Sequence, residues 1–254
     1  MIIPCDKIFY GNKNAKVRSR EEAERLSREL SGKSPEEILL WAAEFFKAGE
    51  SAFASSFGAE DQVITDMMIK AKLPIPIFTL DTGRLPQESY DLLDATRKRY
   101  GIPVEVLFPE ASDVEPMLLR HGANLFYESV ELRRECCRIR KVQPLAKKLS
   151  TLKGWICGLR REQSITRTAI APVEWDESFG LYKVNPLADV TEAALWEYIR
   201  KHNVPVNALH YKGYPSIGCA PCTRAINPGE DIRAGRWWWE HPEHKECGLH
   251  RKPL

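Results

Sequence analysis

Ser51-Ala-Phe-Ala-Ser-Ser-Phe-Gly-Ala-Glu-Asp61 is the stretch on which the fold turns. Ser51 to Ser56 reads as a short buried strand that ends at a glycine turn, and Val63, Ile64, Met67, Met68 and Ala71 then fall on one face of a helix beginning about Glu60. Ile75 to Leu80 repeats the apolar run and stops at the Asp81-Thr82-Gly83 turn. A polar helix from about Pro86 to Tyr100 and a third strand, Val104 to Phe108, follow. Strand, helix, strand, helix, strand with short links predicts an α/β fold, a mostly parallel sheet flanked by helices. Ligands of such sheets sit at the carboxyl ends of the strands, which makes loops 55–61 and 81–84 the candidate binding elements.

Working outward, Arg20 to Leu30 and Pro35 to Ala48 are helical in composition, so residues 1–50 are expected to form an N-terminal helical segment. Val130 to Leu149 also reads as helix but contains Pro144, whose ring clashes with the carbonyl of Arg140 and removes a hydrogen bond, so a kink is expected there. Gly154 to Cys157 makes another strand, and Ile170 to Glu174 with Leu181 to Val184 a strand pair. Thr191 is placed to cap a helix with Leu195, Tyr198, Ile199 and His202 on one face. From Gly213 onward glycine, proline and charge dominate. The expected division is a core over 51–212 and a C-terminal extension over 213–254.

The chain has 254 residues and is 43% apolar, enough for a full core. With 37 Lys and Arg against 35 Asp and Glu, the net charge of +2 is too balanced for binding nucleic acid through bulk charge, so any anion site must be a local cluster. The opening residues, Met1 to Lys7, lack the apolar stretch of a secretory signal, and no run of about 18 apolar residues is present to span a bilayer. A cytoplasmic protein without a membrane partner is expected. The sequence leaves the oligomeric state open, a homo-oligomer included. Seven cysteines, an odd number without an export signal, favour metal or redox roles over a disulfide framework.

Those cysteines are unevenly placed. Cys136 and Cys137 are adjacent, Cys219 and Cys222 lie far along the chain with Ala220 and Pro221 between them, and Cys247 stands near the C-terminus. A site uniting the two pairs must be assembled by the fold, and adjacent cysteines fit a zinc pattern poorly, whereas an iron-sulfur cluster takes one thiolate per iron from several directions. Neighbouring side chains on a straight helix diverge by about 100 degrees, so a distortion beside Cys136 and Cys137 would help both reach one cluster. Taken alone, Cys219-Ala-Pro-Cys222 also reads as a redox pair or half a zinc site. Cys5 and Cys157 read as a terminal thiol and a small apolar strand residue.

Loop 55–61 joins a strand to a helix N-terminus, where free N–H groups favour phosphate and the two hydroxyls of Ser55 and Ser56 add donors, although a capped helix after an ordinary turn is the plainer reading. It lacks the Gly-Lys-Ser/Thr end of a Walker loop. Cations gather at Arg133, Arg134, Arg138, Arg140 and Lys141, at Arg160 and Arg161, and at Arg233 and Arg236; guanidinium forks suit phosphate and sulfate, while a solvated face serves equally well for Arg133, Arg134 and Arg140 and less well for Arg138 and Lys141, which flank the first cysteine pair. Cys247 lies in a segment with His241, His244 and His250, and basic neighbours would raise its thiolate fraction. Gly248 suggests an arm that folds over a site and opens again, anchored by Trp237, Trp238 and Trp239.

Seven motifs in order carry a resemblance. They are Ser-Ser-Phe-Gly-Ala-Glu-Asp (55–61), Leu-Asp-Thr-Gly (80–83), Cys-Cys-Arg-Ile-Arg-Lys (136–141), Gly-Leu-Arg-Arg-Glu-Gln-Ser (158–164), Cys-Ala-Pro-Cys-Thr-Arg (219–224), Ala-Gly-Arg-Trp-Trp-Trp-Glu (234–240) and Glu-Cys-Gly-Leu-His (246–250). From about Phe53 to His250 the chain resembles the assimilatory adenylylsulfate (APS) reductases of the bacterial type, within the wider APS/PAPS reductase family. The resemblance implies an adenine nucleotide alpha hydrolase-like fold, akin to ATP pyrophosphatases. It implies a [4Fe-4S] cluster on Cys136, Cys137, Cys219 and Cys222, with Lys141 linking cluster and substrate electrostatically. Cys247 would attack the sulfur of APS, expel AMP and become an S-sulfocysteine, from which thioredoxin or a similar dithiol protein frees sulfite. His250 joins Cys247 and Lys141 as a catalytic candidate. Ser55, Ser56, Gly58, Asp81, Thr82, Gly83, Arg160, Arg161, Arg233 and Arg236 are the expected substrate contacts.

The family's PAPS-only members lack the two cysteine pairs, which points to the cluster-bearing, APS-using branch. A PAPS-using or dual APS/PAPS enzyme stays open, because a 3'-phosphate adds one more anion for local arginines. An ATP pyrophosphatase or tRNA thiolation enzyme would share the architecture but uses a Ser-Gly-Gly-x-Asp-Ser loop, from which 55–61 departs at Phe57 and Ala59. An iron-sulfur module binding nucleic acid fits the near-neutral charge poorly.

Overall fold

The computed structural model describes residues 13–163 and 169–241. Two helices, α1 (Lys13–Glu29) and α2 (Pro35–Phe45), precede the first strand. Ser34 starts α2 with a capping box, its hydroxyl accepting from Glu37 N–H while the Glu37 carboxylate accepts from Ser34 N–H. The core then alternates β1 (Ser51–Ala54), α3 (Ala59–Lys70), β2 (Ile77–Leu80), α4 (Gln87–Tyr100) and β3 (Glu105–Leu107). This is the alternation expected from the periodicity, with strands trimmed by one or two residues.

α5 (Ala111–His121), α6 (Val130–Cys137), α7 (Gln143–Leu149), β4 (Gly154–Ile156), β5 (Val173–Asp176), β6 (Leu181–Val184) and α8 (Glu192–His202) follow. The sheet runs β3-β2-β1-β4-β6-β5, parallel throughout except for β5, which pairs antiparallel with β6. The chain winds outward from β1 through β2 to β3, then returns to the other side of β1 with β4. The direction of winding reverses between β1 and β4, which leaves a crevice at their carboxyl ends.

The central strands are buried on both faces and therefore lack alternation. In β1 Ser51, Ala52 and Phe53 are all buried, and all of β4 is. One side of the sheet packs Phe53, Ile77, Ile156 and Val184 against α3, α2 and α8 through Val63, Ile64, Met68, Leu39, Leu195 and Ile199. Thr191 caps α8 by accepting from Ala194 N–H, as its position predicts. The other side packs Ala52, Phe78 and Trp155 against Leu145 and Leu149 of α7.

The predicted distortion before Pro144 is present and has a definite form. Between α6 and α7, residues Arg138–Val142 make a π-helical turn, in which Gln143 N–H donates to Arg138 O. Widening the turn accommodates a ring that has no N–H and cannot sit against the Arg140 carbonyl. A helix was not anticipated at α5, which carries Pro116 in its interior. Among the described residues no helix is long and apolar enough to cross a membrane.

Candidate active site

A cavity of about 590 Å³ opens at the β1–β4 crevice. Its walls come from the loop after β1 (Ser55 to Asp61), the segment after β4 (Cys157 to Arg160), and the stretch from Gly213 to Trp237. A pocket of this size in this place is where an α/β sheet holds a small ligand. Two glycines allow the walls to close in. A Cβ on Gly158 would stand 2.2 Å from Asp61 Oδ1, and one on Gly218 2.3 Å from Arg236 Nη2.

The loop after β1 has the predicted placement, with Phe57 in the left-handed region (φ 58°) where the chain turns into α3. Its hydrogen bonding differs from the expectation of a phosphate cradle. Asp61 accepts from both Ser56 N–H (2.6 Å) and Ser56 Oγ (2.7 Å), and Ser55 Oγ accepts from Phe57 N–H (3.2 Å). Both donors of Ser56 thus serve the loop's own carboxylate. Burial lifts the Asp61 carboxyl to about 6; the Ser56 hydrogen bonds oppose that rise and the Glu60 charge adds to it.

Cations enter from elsewhere. Lys141, on the π turn, and Arg233 and Arg236, beyond the second cysteine pair, all line the cavity. Arg236 is buried, donates to Ile217 O (3.2 Å) and lies 4.7 Å from the Trp237 ring centroid. Arg160 also lines the cavity, but its guanidinium is taken up by Glu60 (2.8 Å) and Glu192 (2.9 Å).

Of the expected substrate contacts, Ser55, Ser56, Gly58, Thr82, Arg160, Arg233 and Arg236 stand on the cavity wall, while Asp81, Gly83 and Arg161 do not. Asp81 organises its own turn, accepting from Gly83 N–H (2.7 Å) and Tyr90 Oη (3.0 Å). Arg161 pairs with Asp189 and donates to Ile170 O (2.7 Å).

Beside the cavity lies a second, smaller chamber, walled by Cys136, Cys137, Cys219 and Cys222 together with Arg84, Phe126, Arg133, Arg140, Lys141 and Pro221. All four cysteines are buried and belong to one apolar cluster with Met117, Leu125, Phe126, Ile139 and Trp237. The fold therefore unites the two pairs. Cys136 and Cys137 both reach the chamber from the last turn of α6, immediately before the π turn, and Cys219 and Cys222 reach it from a tight turn. Ala220 N–H donates to Arg84 O (2.8 Å), Tyr127 Oη to Pro221 O (2.7 Å) and Arg140 Nη1 to Thr82 O (2.7 Å), which lock the walls together.

None of the four is in a disulfide. Burial pushes the Cys136 thiol up and the Cys222 thiol up to about 12, the neighbouring Cys219 charge adding to the latter. Burial opposes ionisation of Cys219 too, yet Lys141, Thr82 and Arg236 together bring it below the usual thiol range. Among the described residues no three His, Cys, Asp or Glu side chains converge on a single-ion site. A cluster asks for something different, four thiolates around a volume, one to each iron, with cations nearby to balance net negative charge. Buried, unbridged cysteines edged by Arg84, Arg133, Arg140 and Lys141 suit that donor set.

Lys141 and Cys219 line both spaces and form the partition between them. Cys247, His250, His244 and Cys5 lie outside the described residues. Cys157 is buried after β4 with its thiol pushed up by burial, as befits an inert packing residue. Of the tryptophans, Trp237 is buried and Trp239 is half-buried against Phe126 and Tyr127, while Trp238 is 39% exposed, so two of the three rings provide most of the anchoring.

Sequence reasoning missed Glu192 and the buried pair Arg133–Glu240 (2.7 Å). Glu192 looks in sequence like an ordinary acidic residue in the first turn of a helix. Arg133 looks like part of a solvated charge run.

Residues 50–225 match the phosphoadenosine phosphosulfate reductase domain. A protein of Allochromatium vinosum called adenosine 5'-phosphosulfate reductase is 54% identical over 200 residues, spanning 79% of this chain and 78% of that protein. One from Burkholderia cepacia with the same name is 50% identical over 232 residues, spanning 91% of this chain and 93% of the other. Among solved structures, a phosphoadenylyl-sulfate (PAPS) reductase from Candida auris in a phosphate complex superposes with a TM-score of 0.70 at 28% identity, covering 82% of this chain and 97% of that one. A yeast FAD synthetase, at 16% identity and a TM-score of 0.51, shares the fold. With half or more of its residues identical to those of such relatives over most of its length, and a cavity at the same strand crevice that the fold reserves for a ligand, the chain belongs to the adenosine 5'-phosphosulfate reductases of the phosphoadenosine phosphosulfate reductase domain family.

Proposed function

We propose that this chain reduces adenylylsulfate to sulfite and AMP in sulfate assimilation, with electrons from thioredoxin or a similar dithiol protein. One observation carries the reading: Lys141 and Cys219 stand in the wall shared by the nucleotide-sized cavity and the four-cysteine chamber, so whatever fills one is felt in the other. Cys136, Cys137, Cys219 and Cys222 hold a [4Fe-4S] cluster in this proposal. Bound there, it would supply structure and fixed charge, because the two electrons come from the dithiol.

The chain's own residues account for the remaining chemistry. A thiolate must approach a sulfate that is already negative, and Lys141, Arg233 and Arg236 offset that repulsion and stabilise the charge that builds on the departing phosphate. Cys247 is the proposed nucleophile. Its sulfur forms a bond to the sulfate sulfur as the sulfur–oxygen bond to the phosphate breaks, and AMP leaves with that electron pair. A thiolate of the reductant then attacks the Cys247 sulfur, sulfite departs, and the second thiol resolves the mixed disulfide. Splitting the transfer this way replaces one hard displacement by two easier ones. His250, three residues from Cys247, is assigned to the same step. The division of labour follows the chain, with residues 51–212 forming the nucleotide-binding core that carries the first cysteine pair and 213–254 bringing the second pair, Arg233, Arg236 and the nucleophile.

Anaerobically purified protein incubated with sulfur-labelled APS and no reductant should retain label on the peptide containing Cys247. Label on any other peptide, or none, sinks the assignment. Lys141→Ala is expected to slow formation of that adduct about a hundredfold while weakening AMP binding by less than about tenfold, since its charge serves the transition state more than the ground state. Stopped-time labelling against AMP titration separates the two, and equal losses would refute an electrostatic role in the transfer.

A further inference from the structure

Glu60 and Glu192, the carboxylates bound to Arg160, have no part in the reaction proposed above, yet they face the same cavity. Arg160 is fully buried, its side chain 2% exposed, and its Nε and Nη2 donate to Glu60 and Glu192 while Nη1 donates to Val190 O (3.3 Å). Glu162 stands 3.7 Å from the same guanidinium. One cation is thus surrounded by three carboxylates, and Asp61 adds a fourth acidic group against Gly158.

His210 completes this end of the wall. Its Nδ1 lies 3.0 Å from Tyr214 O, an acceptor, so Nδ1 carries the proton and Nε2 presents a lone pair. Burial holds the ring neutral. Nε2 is itself buried and has no hydrogen-bond partner among the described residues, so the neutral ring adds no positive charge to this part of the wall.

The cavity is therefore divided. Lys141, which also walls the cysteine chamber, and Arg236, packed against Gly218 beside Cys219, make part of the wall cationic, and Arg233 lines the cavity as well. Glu60, Asp61 and Glu192, gathered about Arg160 and Gly158, make another part of the wall a set of acceptors with net negative charge. Hydroxyl and amino donors suit such an array. A phosphate, all acceptor and doubly charged, does not.

We propose that Glu60 and Glu192, by saturating Arg160 and leaving excess negative charge, make this site accept a nucleotide whose charge is confined to its 5' end and reject one with a second phosphate on the ribose. The inference rests on the nucleotide reading of the cavity, and it selects APS over PAPS. Arg160, which the sequence offers as a ready partner for an extra phosphate, is already neutralised.

The test is calorimetric binding of AMP and of adenosine 3',5'-bisphosphate to the full chain purified anaerobically, comparing wild type with Glu192→Gln, Glu192→Lys and Glu60→Gln. Wild type should favour AMP by about a hundredfold, and each Gln substitution should narrow that ratio by about tenfold, with Glu192→Lys narrowing it further. The ratio is the informative quantity, because a substitution that merely loosens the fold weakens both nucleotides alike. AMP binding with a ratio that none of the three variants moves, or a wild type that binds both nucleotides equally, overturns the selectivity while leaving the nucleotide site intact. Failure of wild type to bind either nucleotide overturns the site itself.

Discussion

Replacing Cys247 with serine is expected to abolish sulfite release, by about a thousandfold or more, and to eliminate the covalent sulfo-adduct, while the visible absorption of an iron-sulfur centre stays unchanged. The size follows from what is removed. A serine hydroxyl at neutral pH is a far weaker nucleophile than a thiolate, and an alkoxide aimed at sulfate would meet the same anionic repulsion without the thiolate's intrinsic reactivity. The selectivity follows from position. Cys247 lies well beyond Cys222 in sequence, and the chamber is walled by four other cysteines, so its loss leaves all the proposed ligands in place. Turnover of APS by the serine variant, measured as sulfite released in the presence of reduced thioredoxin, would remove the nucleophile from the proposal. Loss of colour together with activity would instead move Cys247 into the ligand set.

The sequence is legible where local pattern decides structure. β1, α3 and β2 were readable because short apolar runs and a helical period alternate with Gly and Asp turns, and the structure trims them by only a residue or two. The kink at Pro144 was readable because a missing N–H has a fixed consequence four residues back, although the form it takes, a π turn at Arg138–Val142, depends on the tertiary setting. Four cysteines in one chamber were readable as a set because no other pattern uses both pairs.

Long-range polar pairing was not legible. Arg160 and Arg133 both sit in arginine-rich stretches that look like anion sites or solvated faces, and both are buried against carboxylates distant in the chain. Ser56 was read as a phosphate donor, yet Asp61, five residues later, accepts both of its hydrogen bonds. Periodicity and motif spacing report which residues share an element. They carry no record of which charge neutralises which once the elements pack.

The Arg133–Glu240 pair makes that point measurable. Arg133 lies one turn before Cys136 and Cys137 on α6, and Glu240 follows Trp237, whose ring Arg133 covers at 4.7 Å and whose backbone N–H donates to Cys222 O (3.2 Å). The guanidinium donates to both oxygens of Glu240, at 2.8 and 2.7 Å, with the two side chains 1% and 3% exposed. Burial alone would lower the Arg133 pKa, but Glu240, with a smaller contribution from Cys137, more than offsets it, so the guanidinium stays charged and is held by its partners. Arg133→Met is therefore expected to cost about 3–5 kcal/mol, because it leaves the Glu240 carboxylate dry and uncompensated. In a chain of this size that lowers the melting temperature by roughly 6–20 °C. Glu240→Gln should cost less, since its amide oxygen still accepts one of the two bonds. Replacing both members, Arg133→Met with Glu240→Leu, should recover most of the loss, since the desolvation penalty of an orphaned charge disappears along with the charge. Thermal denaturation of the three variants decides the matter. A single Arg133→Met variant that melts within about 2 °C of wild type would mean the carboxylate finds water or another cation, and that this pair does not fasten the C-terminal segment to the helix bearing the first two cysteines.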